Sequence, residues 1–399
     1  MKAVILAAGK GRRMAPLTED TPKPLLPVAG KPLIRHNIDV LEPLVEEIIV
    51  VAGYKKERFE EYFRDSDVRI VEQEEALGTA DAALQAEEYI DDRAVILNGD
   101  DIYVDSLEDF LENDIGILAS RHEKPSVFGV LNINNSFVEG IVEKPNNPPS
   151  NLVNTGCYLV EKDFFPLLES VEESERGEFE ITDAITKYIE DREVEYTVAD
   201  RWLPCSYPWQ LLDSHEKLLE PEKKVEGEVD SSAKIKGEVE IRRGAEVKEN
   251  TIIEGPCIVK EDCEVGPNAY LRPGTVLEKD VVVGNNCEVK NSIIRNNTNL
   301  AHFNYVGDSY IGKNVNLGAG VKTANLRNDE KNVKIDLNSE LIDTGRKKLG
   351  GIVGSGAKLG VDSVIKPGRK VGFKAITDCN EKIRSNIPDK SVLKDGEIS

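Results

Sequence analysis

Along one stretch of this chain every sixth residue is aliphatic: Val229, Ile235, Ile241, Val247, Ile253, Val259, Val265, Leu271, Leu277, Val283 and Val289. If Val, Ile and Leu filled roughly a quarter of positions at random, eleven in succession would carry odds on the order of one in a million. A hexapeptide period of this kind is the pattern of a β-solenoid. Three short strands close one triangular coil, and the repeated aliphatic points inward and stacks on the coils above and below. The register breaks near Arg295, where a loop is expected, and resumes at Val353, Leu359, Ile365 and Val371. Residues 373–399 are charged and weakly periodic, and read as a terminal cap or arm.

The chain ahead of the repeat follows a different grammar. Strand-like runs at Glu47–Ala52, Ala94–Leu97, Ile115–Ala119 and Leu152–Val160 alternate with helix-like runs at Leu33–Leu44, Ala80–Tyr89, Phe164–Val171 and Thr182–Glu190. Alternation of this kind predicts an α/β domain with a mostly parallel sheet, which places ligands at the carboxyl ends of the strands. The expected division is 1–222 for the α/β domain, 223–372 for the solenoid and 373–399 for the cap.

A net charge of −22 argues against nucleic acid or an anionic membrane as a general partner, because either would be repelled outside a local basic patch. Six cysteines without paired C-x-x-C spacing read as reduced, mostly buried thiols. The opening residues hold about six apolar side chains before a glycine, too few for a secretory segment, and no run approaches a membrane span. A cytoplasmic location is expected.

The chemistry begins where the first strand, Lys2-Ala3-Val4-Ile5-Leu6, runs into Ala7-Ala8-Gly9-Lys10-Gly11. Gly9 and Gly11 let main-chain N–H groups face an anion with no Cβ in the way, and Arg12, Arg13 and Lys23 add positive charge. The segment has neither the Walker lysine-serine/threonine pair nor a dinucleotide G-x-G-x-x-G. With its arginine after the glycines and Pro22-Lys23-Pro24-Leu25-Leu26-Pro27 beyond, it resembles the sugar-1-phosphate nucleotidylyltransferase family.

That resemblance implies a set of roles. Leu6, Ala8, Gly9 and Gly11 would bind nucleotide, Arg13 would hold the β- and γ-phosphates, and Lys23 would stabilise charge developing at the α-phosphate. Asp100, in Leu97-Asn98-Gly99-Asp100-Asp101, fits the family's magnesium ligand, since a hard cation takes carboxylate and phosphate oxygens together, and Asp101 reads as a solvated neighbour. Pro204 stands where related chains often carry aspartate as the second ligand, with Gln210 and Asp213 as the available substitutes. Gln73, followed by Gly78 and Thr79, matches the base-recognition segment and favours uracil or thymine, leaving UTP and dTTP both open. Sugar contacts map onto Gly129, Glu143, Lys144 and Asn154.

His302, one of four histidines, is the only one in the solenoid. Its surroundings resemble the acetyltransferase domain of the bifunctional N-acetylglucosamine-1-phosphate uridylyltransferase and glucosamine-1-phosphate acetyltransferase family. The matching motifs are Leu271-Arg272-Pro273-Gly274, Glu288-Val289-Lys290, His302-x-x-Tyr305, Asn314–Gly320 and Ala324-Asn325-Leu326. The resemblance implies a left-handed parallel β-helix, a homotrimer, Arg272 and Lys290 on the sugar phosphate, and Tyr305 and Asn316 on sugar or phosphate. It also implies Ala319, Asn325 and Lys331 on acetyl-CoA, with His302 as the base that removes a proton from the 2-amino group. Glu288 is a candidate to orient that imidazole or to help bind the sugar. From Asp343 to Gly350 the sequence departs from bacterial forms and looks like the archaeal branch. There the Arg346-Lys347-Lys348 cluster reads either as a coenzyme A phosphate site or as a solvated basic turn.

The whole then reads as an enzyme of two activities: acetyl-CoA-dependent N-acetylation of glucosamine or galactosamine 1-phosphate, and Mg2+-dependent uridylyl transfer giving UDP-N-acetylglucosamine. The alternative is a glucose-1-phosphate thymidylyl- or uridylyltransferase whose solenoid serves trimerisation alone.

Overall fold

The computed structural model describes residues 1–104, 107–174, 177–337 and 340–399. The chain forms two compact units. The first comprises Met1–Lys10, Pro22–Leu25 and Pro32–Pro204; the second comprises Gly11–Thr21, Leu26–Lys31 and Cys205–Ser399.

The first unit is built on a nine-stranded sheet. Arg69–Glu72, Glu47–Ala52, Lys2–Leu6 and Arg93–Asn98 lie side by side and parallel. The sheet is more mixed than the alternation of strands and helices predicts. Leu152–Glu161 runs antiparallel between Arg93–Asn98 and Gly116–Arg121, and a hairpin of Gly129–Asn134 and Phe137–Glu143 closes the far edge. Helices such as Leu33–Leu41 and Ile181–Glu190 are amphipathic, and they cover two separate apolar cores.

At the carboxyl ends of the parallel strands the turns are pressed together. Gly99 N–H donates to Leu6 O at 2.8 Å, Tyr54 N–H to Ala8 O at 3.0 Å and Gln73 N–H to Ala52 O at 2.8 Å. A Cβ on Gly99 would stand 2.9 Å from the Leu6 oxygen, and one on Gly53 3.1 Å from Ala8, so glycine is needed at both contacts.

The second unit contains a parallel β-helix of three sheets. One interior column shows its construction: Ile241 pairs with Val259, Val259 with Leu277, Leu277 with Ile294, Ile294 with Ile311, Ile311 with Val353 and Val353 with Val371. These side chains join one continuous core. Each fully buried aliphatic contributes about 1.5–3 kcal/mol, and no single coil could bury its own inward face without its neighbours. Corners repeatedly fall on Asn or Asp in the left-handed region, among them Asn250, Asp262, Asn268, Asp280 and Asn286. Their short polar side chains tolerate that backbone better than most residues do.

The period does break after Val289, but no loop leaves the helix at Arg295. The three-residue corner Arg272-Pro273-Gly274 becomes the two-residue corner Lys290-Asn291, so the next coil is one residue shorter. Arg295 is buried beside the next strand and donates to Thr21 Oγ1 at 3.2 Å. The true insertion is 324–351, between the strand Lys322–Thr323 and its successor Ile352–Val353, and it carries the hairpin Lys334–Leu337 and Glu340–Asp343. Residues 373–399 extend the helix with Ile376–Thr377 and Lys382–Ile383, then end in the antiparallel pair Val392–Lys394 and Glu397–Ile398.

The six cysteines are free thiols; five are buried and Cys379 is exposed. Burial pushes Cys257 and Cys263 up to about 12, so neither is poised for chemistry. Among the described residues no helix is long and apolar enough to cross a membrane.

His215 is fully buried on the helix Pro208–Leu218; its Nδ1 accepts from Ala29 N–H at 3.1 Å and its Nε2 faces Gly274 O at 2.9 Å. That pattern fits a neutral ring with the proton on Nε2, and burial lowers its pKa below the ordinary value. The unfolded chain therefore binds a proton that the folded ring resists. Stability from this group is complete above a pH of about 6.5 and is lost as pH falls below that value. Thermal midpoints measured from pH 7.5 to 5.5 should drop less steeply in His215→Gln than in the wild type. Leu271→Ala, which opens a cavity in the β-helix interior, should cost about 2–5 kcal/mol in denaturant unfolding.

Candidate active sites

In the first unit, the packed turns gather most of the residues expected for nucleotidyl transfer. Gly9 is exposed with open space around it, and Ala8 is buried beneath. The Lys23 ammonium is buried and meets Asp100 Oδ2 at 2.5 Å, while the Asp100 side chain keeps 40% of its exposure. The expected phosphate lysine and the expected metal ligand are thus one ion pair.

Asp101 is not a solvated neighbour. It is buried, its Oδ2 accepts from the Trp202 indole N–H at 3.2 Å, and its carbonyl accepts from Asn37 at 2.8 Å. Trp202 in turn meets Phe128 edge-on, ring centres 5.4 Å apart. Pro204 lies directly across from Asp101 in the pair Arg201–Pro204 with Asp101–Val104, where its ring offers no ligand oxygen. Neither sequence substitute is spare: Gln210 caps its own helix by accepting from Tyr207 N–H at 2.9 Å, and Asp213 pairs with Arg346.

The base-recognition segment is held tightly. Gly78, at φ +128°, lies against the Phe179 backbone, where a Cβ would come within 2.3 Å, and Thr79 Oγ1 accepts from Ile181 N–H at 2.9 Å. Gln73 is buried and donates to Gly78 O at 3.1 Å and to Asp81 Oδ2 at 2.6 Å. Asp81, which sequence reasoning missed, fixes the amide so that it offers a base its oxygen and not its N–H2. That oxygen suits the N3–H of a pyrimidine.

Gly129 and Glu143 are register partners, and a Cβ on Gly129 would come 3.1 Å from Glu143 Oε2 and 3.7 Å from Asn154 Cβ. Three of the four sugar candidates therefore converge. Lys144 lies beside Glu143 at 3.3 Å, with both side chains about half exposed. Asn154 sits where a bulge shifts the register of its strand, and it satisfies its amide internally, donating to Tyr158 Oη at 2.7 Å and accepting from Gly156 N–H at 3.0 Å.

Gly11 and Arg13 belong to the second unit. Gly11 takes a left-handed φ of +60°, and Arg13 is exposed with its guanidinium 5.6 Å above the Tyr207 ring, which stacks on Trp209.

Several acetyl-transfer candidates lie at one corner of the β-helix and on the strand leading into it. Glu288 pairs with Tyr305 and Lys290 with Gly307 on adjacent coils, while His302 ends the strand Asn299–His302 at the preceding corner. Arg272 donates to Glu288 at 2.8 Å, so the carboxylate is engaged by the phosphate candidate and not by the imidazole. His302 is exposed and follows the strand pairing Asn285 with His302. The next residue, Phe303, takes a left-handed φ of +54° at a corner where earlier coils place Asn250, Asn268 and Asn286. That conformation costs a bulky residue about 1–2 kcal/mol.

Gly307 admits the rest of the site: a Cβ there would stand 2.7 Å from both Tyr305 Oη and Asn325 Nδ2. Asn325 donates to Tyr305 Oη at 3.3 Å, and burial raises the Tyr305 pKa. Asn316 is exposed on the neighbouring sheet, Ala319 gives its carbonyl to Asp362 N–H at 2.8 Å, and Lys331 is exposed in the insertion. Arg346 is spoken for, since both of its terminal nitrogens pair with Asp213 and Glu216, which leaves Lys347 and Lys348 as the exposed members of that cluster. Sequence reasoning missed Asp308, whose only signal was a carboxylate in a region of apolar periodicity.

Comparison with known proteins agrees with this division of chemistry. A nucleotidyl transferase family model matches residues 2–225, and the model of the GMPPB C-terminal domain matches 253–342. A crystal structure of a candidate glucose-1-phosphate thymidylyltransferase from Bacillus anthracis superposes with a TM-score of 0.52 and 28% identity, covering 55% of this chain and 96% of that one. Bifunctional protein GlmU of Methanocaldococcus jannaschii is 44% identical over 93% of this chain and 92% of its own length. The bifunctional sugar-1-phosphate nucleotidylyltransferase/acetyltransferase of Sulfurisphaera tokodaii is 38% identical over 94% of this chain and 95% of its own. Relatives of this kind, matched over nearly the whole chain, place the protein in the archaeal family of bifunctional GlmU-type sugar-1-phosphate nucleotidylyltransferase/acetyltransferases.

Proposed function

We propose that the β-helix acetylates a hexosamine 1-phosphate with acetyl-CoA, and that the N-terminal α/β domain then joins the product to a uridylyl group from UTP, releasing pyrophosphate. The observation that carries the reading is the convergence of Lys290, Tyr305 and Asn325 at one β-helix corner, with Arg272 a coil away and His302 leading in. A solenoid kept for trimerisation alone has no use for that set.

In acetyl transfer, Arg272 and Lys290 bind the phosphate, releasing part of their hold on Glu288 and Asp308 as the ligand's charge replaces those carboxylates. The substrate ammonium has no lone pair, so His302 takes one proton to free the amine that attacks the thioester carbonyl, and the second proton lost from nitrogen passes to the sulfur as coenzyme A departs as the thiol. Tyr305 and Asn316 hold sugar or phosphate, while Asn325, the Ala319 backbone and Lys331 meet acetyl-CoA.

In nucleotidyl transfer, Gln73 accepts the base N3–H, Gly78 and Thr79 shape the base pocket, and Leu6, Ala8, Gly9 and Gly11 line the nucleotide. Arg13 takes the β- and γ-phosphates. Gly129, Glu143, Lys144 and Asn154 hold the incoming sugar phosphate. Lys23 moves from Asp100 to the α-phosphate, where it stabilises charge as the sugar phosphate attacks and pyrophosphate leaves. Asp100 fits Mg2+: it is a half-exposed carboxylate with no cluster of further His, Cys, Asp or Glu among the described residues, a donor set that substrate phosphates and water complete. When bound, the ion would neutralise phosphate charge. UTP and dTTP both present the N3–H that Gln73 can accept from. The assembly we infer is a cytoplasmic homotrimer built through a left-handed β-helix. We divide its domains at 1–222 and 223–372, with 373–399 as the coils that extend and cap the β-helix.

Thiol release from acetyl-CoA, measured with glucosamine 1-phosphate, galactosamine 1-phosphate and no acceptor, tests the reading directly; acceptor-dependent release is expected, and its absence would leave the β-helix without an enzymatic role. His302→Ala should lower acetyl transfer by about 10²–10⁴ while pyrophosphate release from UTP stays at the wild-type rate. Lys23→Ala should do the reverse, lowering uridylyl transfer by about 10²–10³. Asp100→Asn should raise the Mg2+ concentration needed for half-maximal pyrophosphate release, and an unchanged Mg2+ profile would remove Asp100 from the metal site.

A further inference from the structure

We infer that Asp308 is a positioning residue for acetyl transfer: its buried carboxylate fixes both the lysine that grips the sugar phosphate and the amide that meets acetyl-CoA. The inference rests on the placement of the acetyl-transfer site around His302 argued above.

Four observations support it. The Asp308 side chain is 3% exposed, which is costly for a carboxylate unless it is fully hydrogen-bonded. It is well supplied: Lys290 Nζ approaches its two oxygens at 3.3 and 3.2 Å, Asn291 Nδ2 donates at 2.8 Å, and Asn325 Nδ2 donates in a short contact. Its backbone is pinned on both sides, Asp308 N–H to Lys290 O at 2.9 Å and Gly350 N–H to Asp308 O at 2.8 Å, so the carboxylate has little freedom to follow its partners. Finally, Asn291 and Asp308 occupy successive two-residue corners, at φ +46° and +49°, created where the hexapeptide period loses a residue. The shortened corners bring these side chains together.

The chemistry follows from the acceptor-only character of an ionised carboxylate. Asn325 must turn its NH2 toward Asp308, and it also gives that nitrogen to Tyr305 Oη, so its amide oxygen is the group left to accept from a ligand N–H. Lys290 is held with its long stem ordered before the phosphate arrives, which removes entropy that binding would otherwise have to offset. One carboxylate thereby sets the geometry on the acceptor side and on the donor side.

Steady-state acetyl transfer is measured on the full-length protein for Asp308→Asn, Lys290→Met and their double variant, with uridylyl transfer read on the same preparations. Asp308→Asn should raise KM for glucosamine 1-phosphate by about tenfold or more, with uridylyl kcat/KM within about twofold of wild type. In the Lys290→Met background the same substitution should add far less, because the two act through one contact. An unchanged KM, strictly additive effects, or equal loss of both activities would each overturn the assignment. Should Asp308→Asn fail to fold, Asn291→Ala removes a single donor to the carboxylate and should raise KM by about two- to fivefold, a wild-type KM overturning the assignment. His302→Ala is run alongside: retained acetyl transfer there overturns the placement of the site itself, whereas an inactive His302→Ala beside a wild-type Asp308→Asn overturns the role of Asp308 alone.

Discussion

Coil-on-coil stacking of inward aliphatics is the constraint on which the second unit depends. A single coil has three strands of two to four residues and an apolar face that nothing in the coil itself can cover. Stacking resolves both deficits at once, because each new coil supplies hydrogen bonds to the strands beneath it and a layer of Val, Ile or Leu to the interior. The geometry is unforgiving along the axis and permissive at the corners. Corners accept a missing residue at Lys290-Asn291 and a 28-residue insertion at 324–351, provided that the interior column stays in step.

That permissiveness is where the proposed acetyl-transfer site lies. The corner that begins as Arg272-Pro273-Gly274 becomes Lys290-Asn291, then Gly307-Asp308, and then gives way to the insertion whose first residues include Asn325. Each change replaces turn geometry with a candidate side chain, and the neighbours adjust: a Cβ on Gly307 would meet Tyr305 and Asn325. The buried carboxylate of Asp308 is tolerable only because Lys290, Asn291 and Asn325 surround it.

The first unit solves a different problem with a similar economy. Parallel strands bring four turns to one edge, and hydrogen bonds from Gly99 to Leu6 and from Tyr54 to Ala8 draw them into contact. The Lys23–Asp100 pair keeps two charged groups partnered at that edge, so a buried ammonium does not stand unpaired.

The sequence by itself determined the solenoid and the α/β unit before it, and it nominated most of the candidate site residues, because those features are written as periods and local motifs. A strict six-residue repeat admits one kind of core, and a glycine turn after a buried strand carries its chemistry within five residues. What only the tertiary structure decided were pairings between distant positions. Whether the broken period at Arg295 meant a loop or a shortened corner depended on which strand Ile294 joins, and that partner is Leu277 on the coil below. Arg346 looked available to coenzyme A until Asp213 and Glu216, more than a hundred residues earlier, proved to hold it. Asp101 looked like a solvated neighbour until Trp202 closed over it, Asp81 carried no signal, and Asp308 carried only that of a carboxylate amid apolar periodicity. A carboxylate's role is set by the donors that surround it, and in these cases the donors or the burial come from the fold.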